Sequence, residues 1–209
     1  MSDEPDKAFA LSRQGILFFL SAPSGAGKTT LSTQLLEQVE NLRLSISYTT
    51  RQPRAGEVDG REYHFVSEAE FLRLQQQHAF AEWARVHDFF YGTARAPLDE
   101  ALARGADLLL DIDVQGVKQL KPQYSTAAVA IFLLPPSWHE LERRLQGRGT
   151  DNPEVIARRL QRAREEAREL PMYDYCIVND QIERAVATLQ GIVVAERARV
   201  ARLHERTIA

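Results

Sequence analysis

Five apolar residues in a row, Ile16-Leu17-Phe18-Phe19-Leu20, run into Ser21-Ala22-Pro23-Ser24-Gly25-Ala26-Gly27-Lys28-Thr29 and then into a helical pattern over residues 29–39. A continuous apolar run of that length suits a strand buried on both faces, as parallel sheets require. The loop after it matches G-x-x-x-x-G-K-[ST] except that Ala22 stands for the first glycine. Its glycines let backbone N–H groups curl round phosphate oxygens, and the helix N-terminus adds the positive end of its dipole. Lys28 would neutralise β- and γ-phosphate charge, and the Thr29 hydroxyl would hold Mg²⁺. The bland alternative is a Gly/Ser turn with an incidental lysine, but the chain has only four lysines. Residues 22–29 therefore read as a nucleotide-phosphate site.

Further apolar runs at 108–112, 127–134 and 175–178 are each followed by a helical pattern, the last extending from 182 to about 206. Strands alternating with helices imply βαβ units, an α/β class and a mainly parallel sheet. Residues 45–93 break that rhythm with Pro53, Gly56, Gly60 and short alternating pieces. They read as a mixed, mostly β insert with one helix over about 68–77. Residues 137–169 form a helical, basic segment interrupted by Gly147, Gly149 and Pro153, with 8 Arg against 4 acidic residues between Arg143 and Arg168. The expected division is a polar leader at 1–14 and a core built from 15–44, 94–136 and 170–209. The insert at 45–93 and the basic segment at 137–169 complete it.

Bulk properties narrow the class. A chain of 209 residues with 44% apolar and 26% charged residues can bury a real core and is not wholesale disordered. A net charge of −3 argues against a general nucleic-acid coat. Cys176 stands alone, so an intrachain disulfide and a Cys-based metal knuckle are excluded; in its apolar run it reads as a small buried hydrophobe. No apolar run approaches the ~20 residues of a membrane span, and the first residues lack a secretory pattern. The expectation is a cytoplasmic protein with neither membrane nor nucleic-acid partner. Trp83 and Trp138 read as packing residues, and the five histidines show no ligand spacing.

Asp111 and Asp113 close the apolar run at 108–112. Residues two apart on a strand face the same way, so both carboxylates are expected on one side, at the ligand crevice of an open α/β sheet. There they suit Mg²⁺, directly or through its waters, and need a cationic partner. In the insert, Arg51 and Arg54 lie three apart in a Pro- and Gly-rich loop, a two-fork clamp for a phosphate, with Tyr63 as a further donor. A carboxylate such as Glu82 can accept from two adjacent N–H donors, which guanine offers and adenine does not. The hydroxyls of Ser47 and Thr93 suit the same base. On spacing alone these residues read more readily as turn and surface positions of a β insert.

The segments SAPSGAGKTTL, SYTTRQPRAGEVDGREYHF, EWARVH, YGT, LLLDIDVQG, RLQGRGTD and IVND, in this order, resemble guanylate kinase over about residues 15–195. The resemblance implies a P-loop NTPase-like three-layer core with a mixed-β GMP-binding insert and a helical lid. It implies ATP-dependent, Mg²⁺-assisted phosphorylation of GMP, and of dGMP, to the diphosphate in purine nucleotide metabolism. Carried over, it puts Ser47, Glu82 and Thr93 at the guanine base. Arg51, Arg54, Tyr63 and Tyr91 fall at the GMP phosphate, with Glu57 in the same loop. Asp111 and Asp113 lie between GMP and the metal, Asp111 reaching it through water. Arg144, Arg148 and Arg159 match lid arginines that close on the transferring phosphoryl group, and Asn179 matches an adenine-side contact. Phe89 and Phe90 depart from the family pattern, which has Asn and Tyr before Tyr91-Gly92.

Two rivals stand beside this reading: a guanylate-kinase-like protein-interaction module, and a related P-loop kinase acting on a sugar phosphate. The intact Gly25, Gly27, Lys28 and Thr29 disfavour the first, and Ser47, Glu82 and Thr93 disfavour the second. The C-terminal helix serves either a homo-oligomer or the core, where Ile192, Val193, Val200 and Leu203 could pack.

Overall fold

A computed structural model of the chain describes residues 11–86, 88–147 and 152–205. Its strands are β1 (Leu11–Arg13), β2 (Leu17–Ser21), β3 (Leu42–Leu44), β4 (Tyr48–Thr49), β5 (His64–Phe65), β6 (Phe80–Val86), β7 (Phe89–Ala94), β8 (Asp107–Asp111), β9 (Ala128–Leu134), β10 (Tyr175–Val178) and β11 (Leu203–Glu205). Its helices are α1 (Lys28–Gln38), α2 (Glu68–Gln76), α3 (Arg95–Ala103), α4 (Val114–Gln123), α5 (Trp138–Gln146), α6 (Pro153–Ala167) and α7 (Ile182–Arg197).

The core sheet has the order β10-β9-β2-β8-β3, and every neighbouring pair is parallel. Alternate residues of β2 feed the two faces. Phe18 and Leu20 pack with Leu31 and Leu35 of α1 and with Val186, Leu189 and Val193 of α7. Leu17 and Phe19 pack with Leu98 of α3 and with Val117 and Leu120 of α4. The result is a helix–sheet–helix sandwich: the parallel sheet agrees with the apolar runs, and the three layers with what the resemblance implies. Because β2 lies centrally, the loop that follows it opens at the carboxyl end of the sheet, where open α/β folds bind ligands.

A second sheet, ordered β5-β4-β7-β6, is mixed: β4 and β5 are parallel, whereas β7 runs antiparallel to both β4 and β6. Fully buried Phe71 of α2 stacks on Phe80 and Phe90, with ring centroids 4.5 and 5.3 Å apart. Helices α5 and α6 share a small core of Leu141, Leu145, Ile156 and Ala163.

Several expectations are corrected. Of the expected leader at 1–14, residues 1–10 lie outside the described residues, and Leu11–Arg13 is a strand that pairs antiparallel with Leu203–Glu205. The C-terminal helix ends at Arg197, and a 3-10 turn at Val200–Arg202 leads into β11. The chain turns there because buried Arg202 reaches back to Glu196 (2.9 Å) and to the Thr126 carbonyl (2.6 Å). Ile192 and Val193 do pack in the core, but Val200 is 81% exposed. Cys176 is exposed, because β10 is an edge strand and only Ile177 of its central pair turns inward. Trp83 and Trp138 are each 37% exposed rather than packed away: Trp83 lies against Phe90, and the Arg164 guanidinium sits over Trp138.

Candidate active site

The phosphate loop is shaped by its neighbours as well as by its own glycines. Gly25 and Gly27 adopt φ values of +96° and +99°, a region that favours glycine. The Ala26 N–H donates to the Pro23 carbonyl at 3.0 Å. Leu141 and Leu145 of α5 come within 3.1 Å of the place a Gly25 Cβ would take, so α5 lies directly over the loop. Helix α1 begins at Lys28 with no side-chain cap, which leaves its first N–H groups to an anion.

Beside the loop, Lys28 is ion-paired with Asp111, the cationic partner that a carboxylate at the end of a buried strand requires. Asp113 departs from the expectation that both aspartates sit on the strand. β8 ends at Asp111, and Asp113 is the N-cap of α4, its Oδ1 accepting from the Gly116 N–H at 2.8 Å. Both carboxylates nonetheless line the same cavity.

That cavity, of about 820 Å³, runs from residues 22–25 and 27–29 at one end to Ser47, Tyr63, Glu82 and Tyr91 at the other. Behind its far wall the Thr93 hydroxyl, 1% exposed, donates to Glu82 Oε1 at 2.6 Å. Tyr63 and Tyr91 meet edge to face, 5.9 Å between centroids, and the Arg51 guanidinium lies 5.5 Å from the Tyr63 ring. Arg51 is gripped by both oxygens of Glu57, at 2.9 Å each, and Glu57 also accepts from the Arg54 backbone N–H at 2.7 Å. The acidic residue of this loop thus aims an arginine rather than facing the cavity itself. Arg54 is exposed, and neither it nor Arg51 is among the residues that line the cavity.

From the basic segment, Arg144 is held by Glu140 at 2.8 Å and reaches the Ala26 carbonyl at 3.4 Å. Asn179 also donates to that carbonyl, at 2.8 Å. Arg159 stands on α6, and Arg148 lies outside the described residues.

Comparison with known proteins converges on one family. The family model described as guanylate kinase matches residues 14–196. The chain belongs to the guanylate kinase family. It is 53% identical to a guanylate kinase of Geobacter metallireducens over 93% of this chain and 96% of that protein. Against a guanylate kinase of Syntrophotalea carbinolica the identity is 55%, over 92% and 91% of the two chains. The crystal structure of guanylate kinase from Anaplasma phagocytophilum superposes with a TM-score of 0.79 at 36% identity, covering 93% of this chain and 92% of that one.

Within this guanylate kinase fold, electrostatics follow burial. Glu82 is 7% exposed, and burial, aided by the Asp113 charge, pushes its carboxyl up to about 7; the bond from Thr93 acts in the opposite direction. Burial and the negative charge of Asp111 raise the Tyr63 hydroxyl to about 12, so it remains a donor at neutral pH. The Arg51 guanidinium holds the Glu57 carboxyl below its ordinary range.

The cavity has further walls that the sequence reading missed. Gln115 and Lys118 line it from α4, and Arg162, Glu165, Glu166 and Glu169 from α6 and its end. Lys118 and Glu169 pair at 2.8 Å across the two elements, and burial raises the Glu166 carboxyl. The 162, 165/166, 169 spacing marks one helix face, but only the packing of α6 shows that this face looks inward.

Proposed function

We propose that this chain transfers the γ-phosphoryl group of ATP to GMP, giving ADP and GDP. The observation that carries the reading is one continuous cavity with a phosphate-binding loop at one end and a buried, hydroxyl-bonded carboxylate, Glu82, at the other. A triphosphate at the loop and a purine monophosphate reaching Glu82 would meet between them, beside Lys28 and Asp111. The division into core, GMP-binding insert (45–93) and lid (137–169) belongs to the same proposal. So does an intracellular, cytoplasmic setting.

The chemistry is mainly charge management. The acceptor is a phosphate monoester with a second pKa of about 6, already largely a dianionic nucleophile near pH 7. No general base is required. What is required is alignment of two polyanions and cancellation of their repulsion. Lys28 serves the donor phosphates. Arg51, steadied by Glu57, with Arg54, Tyr63 and Tyr91, serves the acceptor phosphate. Glu82 as a carboxylate accepts from the N1–H and 2-amino groups of guanine, with Ser47 and Thr93 completing that end. Arg144, Arg148 and Arg159 supply further charge from the lid.

Mg²⁺ fits the donor set. Among the described residues there is no group of three or more His, Cys, Asp or Glu able to cage a metal, whereas Thr29 and Asp111 offer hard oxygens beside the phosphate loop. Mg²⁺ characteristically binds through one or two such ligands plus substrate phosphates. When bound, it neutralises charge on the phosphates.

The reading is tested by ADP release with ATP and Mg²⁺, comparing GMP, dGMP, AMP, a ribose phosphate and no acceptor. ADP formed with the guanine nucleotides alone is the expected result. ADP formed with the ribose phosphate in preference to GMP would replace it with the sugar-phosphate alternative.

A further inference from the structure

The carbonyl of Ala26 sits inside a loop meant to receive phosphates, where an oxygen facing the ligand would repel it. It is turned away and satisfied from outside. Asn179 Nδ2 donates to it at 2.8 Å, and the Arg144 guanidinium offers a second, longer bond at 3.4 Å. Arg144 also donates to the Asn179 main-chain carbonyl at 3.3 Å, so the one guanidinium ties the loop carbonyl to the backbone that carries Asn179. Asn179 is itself fixed: it follows β10, its N–H donates to the Leu134 carbonyl at 2.8 Å, and it is only 5% exposed. A Cβ on Gly27 would stand 2.5 Å from Asn179 Nδ2, so the glycine leaves the room that the amide fills.

The Ala26–Gly27 peptide is trans, as every described peptide is, so its N–H points opposite to its carbonyl. Drawing the carbonyl toward Asn179 therefore sends the Gly27 N–H to the inner side of the loop, where a phosphate oxygen would lie. We propose that Asn179 is a positioning residue for the phosphate loop, orienting the Ala26–Gly27 peptide so that the Gly27 N–H serves the donor phosphates. This rests on the kinase reading above and gives Asn179 a role other than the adenine-side contact that the family resemblance implies. Its amide donor is committed to the loop, and Asp in its place could not donate from that position as a carboxylate.

The two roles differ in what they recognise. A contact to adenine discriminates among bases; an oriented loop N–H acts on phosphates and is indifferent to the base. The test compares the whole wild-type chain with Asn179→Leu, using ATP, CTP and UTP as phosphoryl donors to GMP. Inorganic tripolyphosphate, a ligand without a base, is titrated into both proteins by calorimetry.

The proposal predicts that kcat/KM falls for all three donors by a similar factor, about tenfold for one lost hydrogen bond, and that tripolyphosphate weakens in parallel. KM for GMP stays unchanged. A loss confined to ATP, with tripolyphosphate unaffected, would establish the adenine role and overturn the proposal, as would no change at all. A fall in GMP affinity matching the fall in donor affinity would mark a merely structural residue and overturn it too. If Asn179→Leu does not fold, Asn179→Ser carries the same comparison, its side chain being too short to reach the Ala26 carbonyl. Were the wild type inactive toward GMP, the kinase reading would fail, while the tripolyphosphate titration would still report on Asn179.

Discussion

Glu57 grips Arg51 through both carboxylate oxygens, at 2.9 Å each, and the pair lies against Tyr63, which lines the cavity. A bidentate pair fixes a guanidinium plane as well as its position. Glu57→Gln keeps the shape but gives up one accepting oxygen and the charge. Its expected effect is a KM for GMP raised by about tenfold, with kcat changed less, because the arginine is loosened rather than removed. Arg51→Ala should raise KM further. Steady-state kinetics at saturating ATP checks both, and an unchanged KM in both variants would remove the clamp from the account.

The elevated carboxyl of Glu82, at about 7, makes guanine binding pH-dependent. Only the ionised form can accept from N1–H and the 2-amino group together. Guanosine, which lacks the titrating phosphate, should therefore bind more tightly as pH rises from 6 to 8, and Glu82→Gln should flatten that slope. Stability moves the other way. The folded pKa lies above the unfolded one, so the folded state holds the extra proton between about 4.5 and 7. This contribution is full below the unfolded value and is lost as pH rises through the folded value. Calorimetric titration of guanosine across this range measures the binding effect, and denaturant midpoints of wild type and Glu82→Gln measure the stability effect.

Lys28→Ala removes the cation beside the donor phosphates and leaves Asp111 without its partner. The expected loss in kcat is roughly 100-fold or more, with GMP affinity retained, because the guanine end of the cavity is untouched. Turnover alongside calorimetric titration of GMP distinguishes this from a collapse of the whole site.

Asp107 is fully buried at the start of β8 and is held by Arg13 (2.5 and 2.7 Å), Arg197 (2.7 Å) and the Ile16 N–H (3.0 Å). It joins the first strand, the last long helix and the central sheet. Asp107→Ala strands two arginines and should destabilise the fold by about 3 kcal/mol, while the folded fraction keeps its kinetic constants. Urea denaturation reads the first effect and active-site-normalised kinetics the second.

The parts of this fold that were legible in the sequence are those whose burial leaves a continuous apolar run. β2, β8 and β9 can be placed because parallel strands are covered on both faces, and β10 only because its run is apolar, although Cys176 and Val178 are exposed. The phosphate loop was legible because its residue types are dictated locally by backbone conformation. Short pieces were not: β1 and β11 have three residues each, too few for any periodicity, and are held by pairing with one another. The exposure of Cys176 depends on β10 being an edge strand, which is a property of sheet order rather than of the run itself. Two-residue spacing puts Asp113 on the strand beside Asp111 because spacing says nothing about where a strand ends; the start of α4 decides it. Arg162 is not legible for a similar reason, since an arginine-rich helix does not announce which face packs inward.

In the proposed reaction the phosphoryl group passes from ATP to GMP within one cavity. Incubating the chain with ATP labelled in the γ-phosphate, Mg²⁺ and GMP, and separating the products, follows that group directly. Label is expected in the β-phosphate of GDP, with none formed by Lys28→Ala on the same timescale. Label released as inorganic phosphate, with GMP unconverted, would contradict it.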